Sequence, residues 1–494
     1  MLAALTLVIA LPASGVLAKH VSGYNTTSDS MVTANVDGVT FTPLINSGES
    51  AFGDEFAGLP DGIGAVPARG NQGYVDFYVN HEESHVPFLG TADFNDSSVS
   101  RVRVDVASTS VMDMDIPLPA SLGYIRFCSN FMAGPAEGFP HYTLLTNEES
   151  NDILDVPAGA PYGADPALAP QRQAGYSVAL DTVTGKVTTL AGAGRHNHEN
   201  QVVVPGGWNG IYSLSGDDTF SAPSSQLYMF ASPKWQTYVQ GNGSLWAFRV
   251  TATESGPVDA SDAFNGANDY LDMQPGDTWS GEFIKVPDEV ARGLTGEAPQ
   301  TALENWSNAN NVFQFVRIED IDYDPDSPRT VYFADTGTTR LIPDGNGRLA
   351  RGPSGTGVDT NGRIFKMTLN ADDPTVVDSF SILADADQLS PVMRSPDNID
   401  VGHDSIMVQE DTSSFSKIWQ YSTASGQWTW VATTAIGDAE SSGILDVSQW
   451  FGPGMWALVV QDHAATDWVR SETVGDVTYK EEAGQLLLMH VPGS

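Results

Sequence analysis

Six apolar, strand-like runs in this chain end in carboxylates: Val75–Glu83 (V-D-F-Y-V-N-H-E-E), Tyr142–Glu149 (Y-T-L-L-T-N-E-E), Ile211–Asp218 (I-Y-S-L-S-G-D-D), Val331–Asp335 (V-Y-F-A-D), Ile406–Asp411 (I-M-V-Q-E-D) and Trp456–Asp462 (W-A-L-V-V-Q-D). One such strand end is an ordinary solvated charge. Six imply a fold that gathers equivalent ends at a common place, where carboxylates taken out of water need a counter-charge. A hard cation supplies one, since Ca²⁺ takes six to eight oxygen ligands from carboxylates and amide carbonyls. The candidate donors are Glu82, Glu83, Glu148, Glu149, Glu199, Asn200, Glu319, Asp320, Asp397, Asn398, Glu410, Asp411 and Glu440. Their number points to several ions rather than one.

Three residue types extend this chemistry. Arg317 stands two residues before Glu319, on the same face of a strand. A guanidinium beside ligated metals matches the oxygens of a phosphate, and its alternative is a plain ion pair with a neighbouring acid. Cys128 is the single cysteine. It is either a soft ligand for a transition metal or a small buried hydrophobe. His81 and His198 each precede a glutamate and read as donors behind a metal ligand or as structural histidines. No G-x-S-x-G elbow, phosphate-binding P-loop, dinucleotide fingerprint or H-E-x-x-H motif occurs, which leaves serine-hydrolase and nucleotide-dependent mechanisms without support.

The elements that must position these residues recur too. After each acid-ended strand comes an alternating one: Arg101–Val111, Tyr176–Leu190, Leu245–Val250, Arg363–Leu369, Lys417–Trp430 and Gln485–Val491, with T-G-K and S-G-Q as hairpin turns. Several acid-ended strands follow a third element that is itself acidic: His198–Val204, Arg317–Asp322, Ser395–Val401 and Glu440–Val447. Three or four antiparallel strands repeated about six times predict an all-β chain, a six-bladed β-propeller with irregular surface insertions. The rival is a large β-sandwich with a second β domain. Asn151–Arg172 and Thr251–Thr301, rich in Pro, Gly, Ala and acids, read as surface excursions.

Composition bounds the function. The chain has 494 residues, with 62 acidic against 23 basic side chains and a net charge of −39, a field that repels nucleic acid and anionic lipid. Residues 1–18 have the apolar stretch and small-residue ending of a signal peptide, which predicts release into the periplasm or the medium. The remaining 19–494 are expected to form one propeller with no membrane span. A lone thiol excludes an internal disulfide, so the core or bound metals must supply stability.

At these residues the chain resembles the PhoX-type alkaline phosphatases, a bacterial family long known as a domain of unknown function. The similar stretches are V-N-H-E (Val79–Glu82), Cys128, T-N-E-E (Thr146–Glu149), H-E (His198–Glu199), R-I-E-D-I (Arg317–Ile321), S-P-D-N-I (Ser395–Ile399), Q-E-D (Gln409–Asp411) and A-E-S-S-G (Ala439–Gly443), in the family's order. The resemblance implies a six-bladed propeller that hydrolyses phosphate monoesters, and sometimes diesters, with Fe³⁺ and Ca²⁺ in its channel and a metal-bridging oxygen as nucleophile. It implies Cys128 and Glu199 as iron ligands. Glu82, Glu148, Glu149, Glu319, Asp397, Glu410 and Asp411 would share the other metal positions. Arg317 and Glu319 would be catalytic, with Arg317 and Asn398 on the substrate. The chain departs from the family after Cys128, where S-N-F-M-A-G-P-A-E-G-F-P-H-Y lacks the usual tryptophans. The function expected is therefore that of an exported monomeric phosphatase acting on a small phosphoester. Its alternatives are a calcium-stabilised propeller that binds a partner or glycan, and a calcium-dependent lactonase or esterase.

Overall fold

A computed structural model describes residues 23–71, 73–219 and 225–493; the expected signal peptide lies outside them. The chain is nearly all β, and the acid-ended runs are the second strands of successive antiparallel meanders. The first meander comprises Pro60–Pro67, Tyr74–His81, Ser98–Asp105 and Ser110–Leu118, and the second Phe127–Ala133, Thr143–Glu148, Ser177–Asp181 and Val187–Thr189. The third begins with His198–Val203 and Ile211–Asp217, the fourth with Ile318–Tyr323 and Thr330–Asp335. The fifth begins with Pro396–Val401 and Ser405–Glu410, the sixth with Ala439–Asp446 and Met455–Asp462. The six leading strands pack against one another in chain order, and the sixth returns to the first, closing a ring.

Local patterning explains the meanders. In Ser98–Asp105 the valines Val99, Val102 and Val104 are fully buried. The alternate Arg101 and Arg103 stay part-exposed and pair with Asp113, Asp115 and Asp76 on neighbouring strands. The T-G-K hairpin turns at Gly185 (φ +70°), where a side chain would be strained, and Asp181 Oδ1 accepts from the amides of Val183 and Thr184. Second strands are buried on both faces because each meander is sandwiched between two others.

The N-terminal strands complete sheets made by the C-terminal part of the chain. Val32–Ala34 pairs with Gln427–Thr434 of the fifth meander, and Thr40–Asn46 with Ala483–His490 of the sixth.

Both expected surface excursions prove structural in part. Within Thr251–Thr301, Thr278–Lys285 bridges the outer strands of the third and fourth meanders into one continuous sheet. Ala267, Tyr270, Met273, Trp279 and Phe283 from this segment are buried with Phe248, Phe315, Phe365 and Phe380 in the largest apolar cluster. Arg172, at the end of the other segment, is fully buried. No helix among the described residues is long and apolar enough to cross a membrane.

Candidate metal centre and its approaches

Two positions per meander build the site. One is the second residue of the leading strand: Asp61, Cys128, Glu199, Glu319, Asp397 and Glu440 in turn. The other directly follows the second strand: Glu82, Glu149, Asp218, Thr336, Asp411 and His463. The ladder shows why these positions converge. In five meanders the first residue of the leading strand opposes the last of the second strand, and a register shift follows at once; the pairs are Pro60 with His81, Phe127 with Glu148, His198 with Asp217, Ile318 with Asp335 and Pro396 with Glu410. In the sixth the shift lies between Ser442 and Ile444. Such a bulge unpairs the next residue and re-aims it, here toward the ring axis. The leading strands also approach closely, since a Cβ on Gly62 would lie 2.4 Å from the Asn130 amide nitrogen.

The result is five overlapping groups of donors: Asp61, Glu82 and Cys128; Cys128, Glu149 and Glu199; Glu149, Asp218 and Glu319; Glu199, Glu319 and Asp397; Asp397, Asp411 and Glu440. Within each group the ligand atoms lie within 4.8 Å of one another. Burial pushes the carboxyls of Asp61, Glu149, Glu319 and Asp397 well up, Glu199 up to about 8 and Asp411 up to about 7. Burial, then the charge of Asp61, raises the Cys128 thiol. Glu199 is fully buried and its Oε2 has no hydrogen-bond partner. Nine carboxylates and a thiol outnumber the cationic side chains beside them, Arg317 and the His463 ring 3.5 Å from Glu440, and make a donor set that suits several cations: oxygen groups for hard ions, and the Cys128 end for a softer one.

The acids rest on a layer of neutral side chains. Ser129 Oγ donates to Glu199 Oε1 (2.7 Å) and accepts from Asn398 Nδ2 (3.1 Å). Ser442 Oγ is 2.5 Å from Asp61 Oδ1 and 3.2 Å from Asn398 Oδ1. Asn398, expected on the substrate, is thus buried in bonds that tie the second, fifth and sixth leading strands together. Asn200 donates to Asp320 in the same layer.

Of the expected ligands, Glu82, Cys128, Glu149, Glu199, Glu319, Asp397 and Asp411 are brought together, whereas Glu148 and Glu410 are not. As the last ladder residues of their strands, these two point into their own meanders. Glu148 forms a fully buried pair with Arg172 (2.5 and 2.7 Å) and accepts from the amides of Ile125 and Tyr176. Glu410 accepts from Trp419 Nε1 (2.9 Å), the Arg394 amide and Lys417. His81 and His198 occupy similar interior positions on Ser100 and Ser215, and burial lowers them to about 4 and about 3.

Glu440, a candidate donor outside that set, joins the cluster, and two further acids of it were not among the candidates at all. Asp61 sits in P-D-G-I, whose likeness to P-D-N-I at 396–399 was the available signal. Asp218 is the second acid of S-G-D-D, in the place that Glu149 holds in N-E-E and Asp411 in Q-E-D.

Arg317 lies against the ring, with Nη2 2.6 Å from Asp218 Oδ2 and 3.2 Å from Glu319 Oε1. Burial pulls its proton affinity down, and these two charges more than offset that. Asp335 holds the adjoining backbone by accepting from the amides of Val316 (2.9 Å) and Gly337 (3.0 Å), while the Thr336 amide donates to the Arg317 carbonyl. Arg317 and Thr336 border a cavity of about 380 Å³. A second cavity, about 430 Å³, touches the opposite end of the leading strands at Asn130, Asp322 and Asp400. There Asp322 and Asp400 accept from the amides of Val401 and Asp446, bracing neighbouring strands.

An all-β ring of meanders around a carboxylate and thiol cluster defines a class of fold with a candidate polynuclear metal site. No protein-family model matches the chain, and no curated protein matches it. Among solved structures the chain is similar in fold to Pseudomonas fluorescens PhoX, solved in complex with vanadate, a transition state analogue. The TM-score is 0.63 at 15% identity, over 95% of this chain and 97% of that one. A more distant likeness is hydrazine synthase of Kuenenia stuttgartiensis, with a TM-score of 0.37 and 9% identity over 82% and 93% of the two chains.

Proposed function

We propose that the chain is a six-bladed propeller, each meander one blade, and an exported metal-dependent phosphatase acting on small phosphoesters. The observation that carries the reading is the run of five linked donor groups with Arg317 at its edge. Cys128, Glu149 and Glu199 would hold Fe³⁺, because a thiolate favours a transition metal, and the oxygen-only groups would hold Ca²⁺. When bound, such ions supply positive charge to the phosphoryl oxygens and lower the pKa of water at the site.

The chain's own residues do the rest. Arg317 presents its planar fork to a phosphate oxygen, and Asp218 and Glu319 fix its orientation. Glu319 belongs to two donor groups and touches Arg317, so it couples substrate position to metal position. Asp335 keeps the Arg317 backbone in place through Val316. One chain closes the ring, so the reading needs no partner subunit.

The test is elemental analysis of the purified protein for iron and calcium, with turnover of a chromogenic phosphate monoester measured on the same sample. Both metals with calcium-dependent turnover support the reading. Calcium alone, with no turnover after iron is supplied, would replace it with that of a calcium-stabilised binding protein.

A further inference from the structure

Thr336 occupies a ring position where four of the other five meanders carry a carboxylate, and it breaks the acidic wall beside Arg317. The residue is 4% exposed and its hydroxyl has no hydrogen-bond partner. It lines the 380 Å³ cavity together with Arg317, Arg351, Thr338, Thr360 and Asn361. That volume lies in the range of small-molecule sites, roughly 300–1,000 Å³. Among the described lining residues there is no carboxylate, in a chain with a net charge of −39. Arg317 is already balanced by Asp218 and Glu319, so Arg351 is the guanidinium of this wall without an acidic partner among the described residues.

Arg351 belongs to an insertion between the second and third strands of the fourth meander, a small sheet of Thr338–Pro343, Leu349–Arg351 and Val358–Thr360. Leu341 and Leu349 anchor this sheet in the main apolar cluster, and the Leu349 amide donates to Gln314 Oε1 (2.8 Å). The guanidinium is exposed and forms no ion pair among the described residues, and its Nη2 donates to Thr338 Oγ1 at 3.2 Å. It is thus a cation on a fixed base, facing the same cavity as Arg317, with donors left for a ligand.

We propose that this cavity receives the leaving group of the substrate and that Arg351 is a specificity-determining residue binding a second anionic group on it. The inference rests on the phosphatase reading for its orientation, with the scissile phosphate at Arg317. It assigns the substrate class: hydroxylated phosphoesters with two anionic groups, for which a hexose bisphosphate is the model. Walls of hydroxyl and amide match sugar hydroxyls, and the Arg351 fork matches a second phosphate.

The experiment compares hexose 6-phosphate with hexose 1,6-bisphosphate on the metal-loaded full chain, in wild type, Arg351→Ala and Arg351→Lys. Both turnover and calorimetric binding are read. A charge-assisted contact at an exposed arginine is expected to favour the bisphosphate by about threefold in kcat/KM. Arg351→Ala should bring that ratio close to one, and Arg351→Lys should restore part of it. A wild-type ratio near one, or an Arg351→Ala loss equal for both substrates, overturns the assignment. If neither ester is hydrolysed the phosphatase reading fails, and binding decides: tighter bisphosphate binding that depends on Arg351 upholds the cavity's role, and equal binding by wild type and Arg351→Ala overturns it.

Discussion

Adjacent glutamates in T-N-E-E should respond in opposite ways to the loss of a charge. Glu148 and Arg172 are both fully buried, joined at 2.5 and 2.7 Å, with the guanidinium 4.5 Å from the ring centre of Tyr162 and bonded to the Gly123 carbonyl. Glu148→Gln keeps the shape and strands a buried cation, which costs about 3–5 kcal/mol when one partner of such a pair is removed. That is a large share of the 5–15 kcal/mol typical of a folded domain. Glu149→Gln removes one of several carboxyls that crowd and raise each other. In metal-stripped protein it should therefore leave stability unchanged or slightly increased, while in loaded protein it should reduce bound metal. Urea and thermal unfolding of both variants at pH 7.5, stripped and loaded, measure the contrast. A Glu148→Gln protein as stable as Glu149→Gln when stripped would refute the assignment of opposite faces to these side chains.

Metal-stripped protein should lose stability as pH rises from about 5 to 8. Burial holds Glu199 at about 8 and Asp411 at about 7, above their unfolded values near 4, so the folded state binds more protons across that window and its advantage is lost as those groups ionise. Thermal melts across pH should show this slope, and saturating Ca²⁺ should flatten it. Arg317→Ala should weaken competitive inhibition by inorganic phosphate about tenfold or more, in keeping with a charge-assisted bond, and an unchanged inhibition constant would remove the clamp. Cys128→Ala should lower iron content with calcium and fold retained, checked by elemental analysis and far-UV circular dichroism.

The second strands were legible because apolar runs stop at acids, and the third strands because alternation and, in two of them, hairpin turns mark them. Which acid of each pair meets the ring was not legible. It depends on where the ladder ends: Glu148 opposes Phe127 and Glu410 opposes Pro396, so both are still strand residues, and their successors are the first free to turn. A one-residue difference reverses the face, and only the pairing partner sets it. The first two leading strands went unread, since Pro60–Pro67 is broken by Pro and Gly and Phe127–Ala133 carries no acid. In Thr251–Thr301 the composition is that of a loop, yet Tyr270, Met273 and Trp279 meet a core assembled from distant strands. Likewise nothing near Arg172 in sequence announces a partner 24 residues earlier.

The strand pairing of Val32–Ala34 and Thr40–Asn46 with the end of the chain imposes an order on synthesis. These segments are made early and wait for partners as late as Ala483–His490. At 5–20 residues per second the interval is roughly 20–90 s. During it the leading strands of the first meanders have no closing neighbour, and the acids of the sixth do not yet exist. A nascent chain can assemble the group Cys128, Glu149 and Glu199 first, and the last group, Asp397, Asp411 and Glu440, is complete only once residue 440 has been made. Ring closure is thus a late event, and removal of Ala483–His490 should release Thr40–Asn46 and leave Met455–Asp462 without its outer neighbour.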